Sequence, residues 1–226
     1  MIRNILLDVD GTLWDSAPQV TVSWNEVLEQ HRDLTDRVVT VGDMYHLMGK
    51  TMTEIGEALF PELPADTRNA LMRENMEHEN EYLQKVSGRF YDGLEETLLS
   101  MTEEGFRFYI VSNCQDGYIQ ALLQYGRYHE CITDFDCYGR TGLPKCDTIR
   151  ILMKRDRLKP EETVYLGDTS MDETAAGKAG IAFIHAAYGF GTAEHPLAVV
   201  HDIRELPQVI GRLNADRFQR HVPSIG

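Results

Sequence analysis

Asp8 and Asp10 stand one residue apart, directly after the apolar run Ile5, Leu6 and Leu7, and Gly11 and Thr12 follow them. Two carboxylates at a buried chain end are costly to ionise unless a cation or hydrogen-bond donors neutralise them. Two more apolar runs and one turn of the chain lead into polar residues of the same kind. Ser112 and Asn113 follow residues 106–111, Lys145 follows the turn Gly142, Leu143, Pro144, and Asp168 and Asp172 follow Val164, Tyr165 and Leu166. Carboxylates, a lysine and a hydroxyl gathered in one place suit phosphoryl transfer assisted by Mg²⁺. That ion takes a few carboxylates and completes its shell with water and phosphate oxygens.

Such a gathering needs a parallel sheet. Short apolar runs that end in turn residues read as buried parallel strands, and in open α/β sheets ligands sit at the carboxyl ends of the strands. Strands are expected over residues 4–7, 106–111, 164–166 and 181–184, a short strand or loop over 131–137, and a further strand near 198–200. Helices are expected between them, over 94–104, 116–125, 145–157, 171–179 and 206–213. This alternation predicts an α/β fold, a doubly wound and mostly parallel sheet of Rossmann-like type. Asp8 and Asp10 alternate to one side of an extended chain and Val9 to the other, and a bend at Gly11 can re-aim Asp10.

Residues 17–84 break the alternation. Val20, Trp24, Val27, Leu28 and His31 recur at helical spacing. Two short helices follow, broken near Gly49, and after Pro61 and Pro64 comes a long acidic helix, with Asp66 as its expected cap. The acidic run of residues 74–81 reads as a solvated helix face, and Trp24 as part of the core of this block. The chain thus divides into an α/β core of residues 1–16 and 85–226 and an inserted helical block of residues 17–84. The polar stretch of residues 214–226 reads as a loosely held tail.

Bulk properties narrow the classes. A formal charge of −14 disfavours a nucleic-acid partner, although a local metal or lysine still admits a small anion. No run approaches the ~18–20 apolar residues that span a bilayer. Cys114, Cys131, Cys137 and Cys146 form no C-x-x-C pair, and no hydrophobic leader follows Arg3, so reduced thiols and a cytoplasmic setting are expected. Cys131 and Cys137 lack zinc-site spacing.

Taken together, Asp-Val-Asp-Gly-Thr-Leu-x-Asp-Ser from Asp8, Ser112-Asn113, Lys145 and Gly167-Asp168-x-x-x-Asp172 resemble the four motifs of the haloacid dehalogenase-like hydrolase superfamily, in order and at family-like spacing. The helical insert resembles the cap of its phosphoglycolate phosphatase and β-phosphoglucomutase branch. The resemblance implies Asp8 as nucleophile, giving an aspartyl-phosphate. It implies Asp10 as general acid/base, with its backbone carbonyl on the metal. Ser112 and a backbone N–H near Asn113 would hold phosphoryl oxygens, Lys145 would neutralise phosphate and nucleophile, Asp168 would ligate Mg²⁺ directly, and Asp172 would act at one remove or through water. The break at residues 48–51 resembles the branch's specificity loop. Lys50 there has two readings, a contact to an anionic substrate group or an exposed lysine at a helix start. Trp14 and Asp15 fall where such proteins hinge.

The expected function is hydrolysis of a small phosphorylated metabolite with Mg²⁺ as cofactor. The presence of Asp10 disfavours dehalogenase and phosphonatase chemistry, because a leaving halide needs no proton. A β-phosphoglucomutase-like mutase is disfavoured because no arginine lies between Gly49 and Phe60. Inorganic pyrophosphatase activity and a non-catalytic phosphate-binding protein on the same scaffold are the remaining alternatives. The reading requires the carboxyls of Asp8 and Asp168 within ~10 Å of each other, close enough to share one ion.

Overall fold

The computed structural model describes residues 1–221, with side chains through residue 216. In chain order the elements are β1 (Asn4–Leu7), β2 (Trp14–Asp15), α1 (Ala17–Gln30), α2 (Val41–Leu47), α3 (Met52–Leu59), α4 (Ala65–Leu83), β3 (Arg89–Phe90), α5 (Leu94–Glu103), β4 (Arg107–Ser112), α6 (Tyr118–Leu123), α7 (Tyr128–Cys131), β5 (Ile132–Cys137), α8 (Tyr138–Thr141), α9 (Lys145–Arg155), β6 (Thr163–Gly167), α10 (Ser170–Ala179), β7 (Ala182–Ala186), β8 (Ala198–Val200) and α11 (Leu206–His221). Six strands form one sheet in the order β5-β4-β1-β6-β7-β8, and every pairing in it is parallel. This is the doubly wound α/β architecture that the alternating pattern predicts.

β1 lies at the centre because it is apolar on both faces. Ile5 and Leu7 enter one core cluster and Leu6 the other, and all three are fully buried. Each contributes roughly 1.5–3 kcal/mol by leaving water. After β1 the chain builds β4 and β5 on one side, then returns to build β6, β7 and β8 on the other. This reversal beside β1 opens a crevice at the carboxyl ends of the strands. Register brings those ends level, since Leu7 pairs with both Ile110 and Leu166.

α1 packs along α4, and α2 and α3 complete an all-helical layer over the sheet edge. α2 and α3 each open with a capping box, at Thr40 with Asp43 and at Thr51 with Glu54. Between them Gly49 takes φ +86°, a left-handed turn that few other residues adopt readily. The chain crosses between helical layer and sheet at a two-residue antiparallel ladder, Trp14 to Phe90 and Asp15 to Arg89, too short to be read from sequence.

Two expectations are corrected. Asp66 lies inside the first turn of α4 and Pro64 takes the cap position, without a side-chain cap; proline there fixes an extended entry to the helix. The stretch from residue 214 is not a loose tail through residue 221, because α11 continues to His221 and Asn214 bonds both the N–H and the carbonyl of Ile2, at 2.6 and 3.2 Å. Residues 222–226 lie outside the described residues.

Candidate active site

Asp8 follows β1 on the face of Leu6, the face over which α9 packs. Lys145, the first residue of α9, is buried and places Nζ 2.9 Å from Asp8 Oδ1 and 2.6 Å from Asp172 Oδ1. Burial opposes the ammonium charge, but Asp172 and Asp8 outweigh it and hold Lys145 well above its usual value. A permanent cation therefore sits between two carboxylates. Burial, then repulsion from Asp172, pushes Asp8 well above the carboxylate range, with Lys145 pulling it back.

Asp172 is the third residue of α10. Its Oδ2 accepts from the Thr169 hydroxyl at 2.7 Å and the Thr169 amide at 3.1 Å, completing a capping box. It is thus a first-turn helix acid and a site residue at once. Asp168, between β6 and α10, is fully buried. Its Oδ2 accepts from the Phe190 amide at 2.7 Å, whereas its Oδ1 has no partner among the described residues. Burial, then the charge of Asp172, pushes its carboxyl up to about 7. Gly11, at φ +80°, lets the chain turn beside it; a Cβ there would lie 2.2 Å from Asp168 Oδ2.

Carboxylate oxygens of Asp8, Asp168 and Asp172 lie within 4.8 Å of one another, inside the distance that a shared ion requires. Three acids face one lysine, and a buried oxygen lacks any donor. This is the charge deficit and the oxygen donor set that suit Mg²⁺. Both oxygens of Asp172 are already engaged, which fits a role one step from the ion.

Asp10 turns away from this cluster. Its Oδ1 accepts from the Tyr118 hydroxyl at 2.6 Å and from the Ser16 hydroxyl at 3.0 Å. Burial raises its carboxyl to about 6, with Tyr118 and Ser16 restraining the rise. Such a group exchanges protons near neutrality. These hydroxyls hold one oxygen of its side chain, while the motif implies its backbone carbonyl for the metal contact.

Ser112 is buried at the end of β4, where its Oγ accepts from the Cys114 amide at 3.4 Å. The Asn113 side chain takes another task, donating from Nδ2 to the Gly49 carbonyl at 2.7 Å and so tying the sheet edge to the turn between α2 and α3. Lys50, half-buried, lines the same cleft as Asp8, Asp10, Ser112 and Asn113. Cys114 is a buried thiol in its wall. A second tie from the helical layer is Tyr45, whose hydroxyl donates to Asp15 Oδ2 at 2.8 Å and whose ring lies 5.0 Å from that of Phe190.

Sequence reasoning missed Ser16, Tyr118, Glu79 and Gln115. Glu79 corrects the reading of residues 74–81 as a solvated face: it is 3% exposed, lines the cleft, and accepts from Trp24 Nε1 and, at 2.9 Å, from Gln115 Nε2. A signal existed, because Leu71, Asn75, Glu79 and Leu83 recur every four residues and all are buried. Trp24 is both core and cleft wall. No local pattern marked Tyr118.

A parallel sheet with acids, a lysine and a hydroxyl at its carboxyl edge, under a helical layer, defines a phosphoryl-transfer hydrolase of the α/β class. The profile of the haloacid dehalogenase-like hydrolases matches residues 5–186, and the chain belongs to that family. It is a phosphoric monoester hydrolase of the family's phosphatase kind. Among similar proteins, a phosphoglycolate phosphatase of Xanthomonas campestris is 30% identical over 193 residues, covering 83% of this chain and 84% of the relative. Phosphoglycolate phosphatase 1 of Pseudomonas aeruginosa is 25% identical, covering 90% of this chain and 78% of the relative. Among solved structures, CbbY from Rhodobacter sphaeroides in complex with phosphate shares the fold, with a TM-score of 0.77 at 18% identity, over 91% of this chain and 96% of that one. No described helix is long and apolar enough to cross a membrane.

Proposed function

We propose that this protein is a Mg²⁺-dependent phosphatase that hydrolyses a small phosphorylated metabolite through an aspartyl-phosphate on Asp8. The observation that carries the reading is the buried Oδ1 of Asp168 beside Asp8, which has no partner among the described residues, in a cluster whose one described cation is Lys145.

Asp168 and Asp8 would hold the ion, joined by the Asp10 carbonyl, with Asp172 acting through water. Once bound, Mg²⁺ supplies positive charge to the phosphoryl oxygens and to the nucleophile. Lys145 orients Asp8 and favours its ionised form. The Ser112 hydroxyl and the backbone N–H near Asn113 bind phosphoryl oxygens, so charge that spreads in the transition state meets fixed donors. Asp8 attacks phosphorus and the bond to the ester oxygen breaks. Asp10 gives its proton to the departing alkoxide, then takes one from the water that hydrolyses the aspartyl-phosphate and returns Asp8. Residues 17–84 serve as a cap that encloses the substrate, and Lys50, next to the Gly49 clasp on Asn113, meets its anionic end.

The test is release of phosphate from p-nitrophenyl phosphate and from a metabolite panel, with and without Mg²⁺. Metal-dependent turnover that falls by at least ~10³-fold in Asp8→Asn is expected; undiminished turnover in that variant removes Asp8 as nucleophile.

A further inference from the structure

The cleft under the helical layer has an empty volume of about 470 Å³, including its open mouth. Its chemistry is uneven. Val20, Trp24, Met44, Met52 and Ile55 supply an apolar wall from the helical layer. Lys50 lines the cleft next to Gly49, whose carbonyl is held by Asn113 at the phosphoryl edge. Glu79 lines it beside Trp24 and Gln115. Trp24 and Gln115 occupy one lone pair on each Glu79 oxygen, and a carboxylate offers about four such positions. Among the described residues no cation pairs with Glu79, and burial pushes its carboxyl up to about 7.

We propose that the cleft takes phosphate monoesters of a short, largely apolar alcohol whose other end carries a hydrogen-bond donor, a hydroxyl or an ammonium, and that Glu79 receives that donor. This rests on the phosphatase reading and adds to it the class of leaving group. A donor from the substrate supplies what the buried acid lacks. Above pH 7, where Glu79 is ionised, a substrate carboxylate in the same place would face it with like charge and no cation between them. Glycolate, the leaving group that the relatives' name specifies, is therefore disfavoured here.

Four esters of matched length separate the possibilities: propyl phosphate, 3-hydroxypropyl phosphate, 3-aminopropyl phosphate and 3-phosphooxypropanoate. kcat/KM is measured for each with Mg²⁺ at pH 8, where Glu79 is ionised, in the unaltered protein and in Glu79→Gln, with p-nitrophenyl phosphate alongside. The unaltered protein is expected to favour the hydroxyl and amine esters over the carboxylate by about ten-fold or more, and Glu79→Gln to shrink the amine-to-carboxylate ratio by about ten-fold. The ranking in the unaltered protein decides the matter even if the variant fails to fold, which a melting curve reveals. Equal use of amine and carboxylate esters overturns the inference. So does an equal fractional loss on all four esters in Glu79→Gln, which would make Glu79 only a tie between helical layer and sheet. Turnover of p-nitrophenyl phosphate without a preference among the four, or with none of them accepted, sinks this inference and leaves the phosphatase reading standing. No Mg²⁺-dependent turnover of any of the five sinks both.

Discussion

The Tyr118 hydroxyl donates to Asp10 Oδ1 at 2.6 Å, joining residues 108 apart in sequence. The Ser16 hydroxyl reaches the same oxygen, and the two hydroxyls lie 2.6 Å from each other. Asp10 is therefore aimed by a three-oxygen network. Tyr118→Phe removes one arm. If Asp10 protonates the leaving oxygen, kcat falls about ten-fold for an alkyl phosphate and much less for p-nitrophenyl phosphate, whose leaving group needs little proton help. An equal loss on both esters would show that Tyr118 serves something other than proton transfer.

Among the described residues, Asp168 contributes the one buried carboxylate oxygen of the cluster that has no partner. Asp168→Asn keeps the shape but removes the ligand's negative charge and exchanges one oxygen acceptor for an NH2 donor. The Mg²⁺ concentration for half-maximal activity is expected to rise by at least about ten-fold, read from a metal titration after chelation. A titration identical to that of the unaltered protein would remove Asp168 from the metal site.

Lys145 is the cation among Asp8, Asp172 and Asp168. In chelated protein Lys145→Met leaves buried acids uncompensated, which costs about 3–5 kcal/mol of stability near pH 7. At pH 5 the loss shrinks, because Asp168, whose carboxyl is pushed up to about 7, takes up a proton. Urea unfolding at the two pH values measures this; a loss independent of pH would contradict it.

Glu79 sets a second pH dependence. Its carboxyl ionises near 7 in the folded chain and near its ordinary value of 4.5 when unfolded. The folded state thus prefers the proton. Its contribution to stability is complete below pH 4.5 and is lost as pH rises through 7. Relative to Glu79→Gln, the unaltered protein should lose up to about 3 kcal/mol across that window. Parallel stability curves for the two proteins would show that Glu79 is not held protonated.

Much of this was legible because it is local. The apolar run before Asp8, the polar residues that follow Val111 and Leu166, and the turn before Lys145 each state a strand end or helix start in a few residues. The Gly49 break between two short helices is equally local. Asp172 shows the limit: its place in a first helical turn was readable, but its second bond, to Lys145, was not. The acidic run misled because net charge averages over faces. Glu74 and Glu81 are exposed while Glu79 is buried, and a period of four decides which is which.

The order and spacing of the motifs along the chain determined the α/β class and nominated Asp8, Asp10, Ser112, Lys145, Asp168 and Asp172, because strand ends in a parallel sheet share one edge whatever the loops between them do. Only the tertiary structure decided that Tyr118 and Ser16 aim Asp10, that Asn113 clasps Gly49, and that Glu79 stands in the cleft. Those contacts join segments far apart in sequence, and side-chain direction across such gaps is set by packing rather than by local pattern.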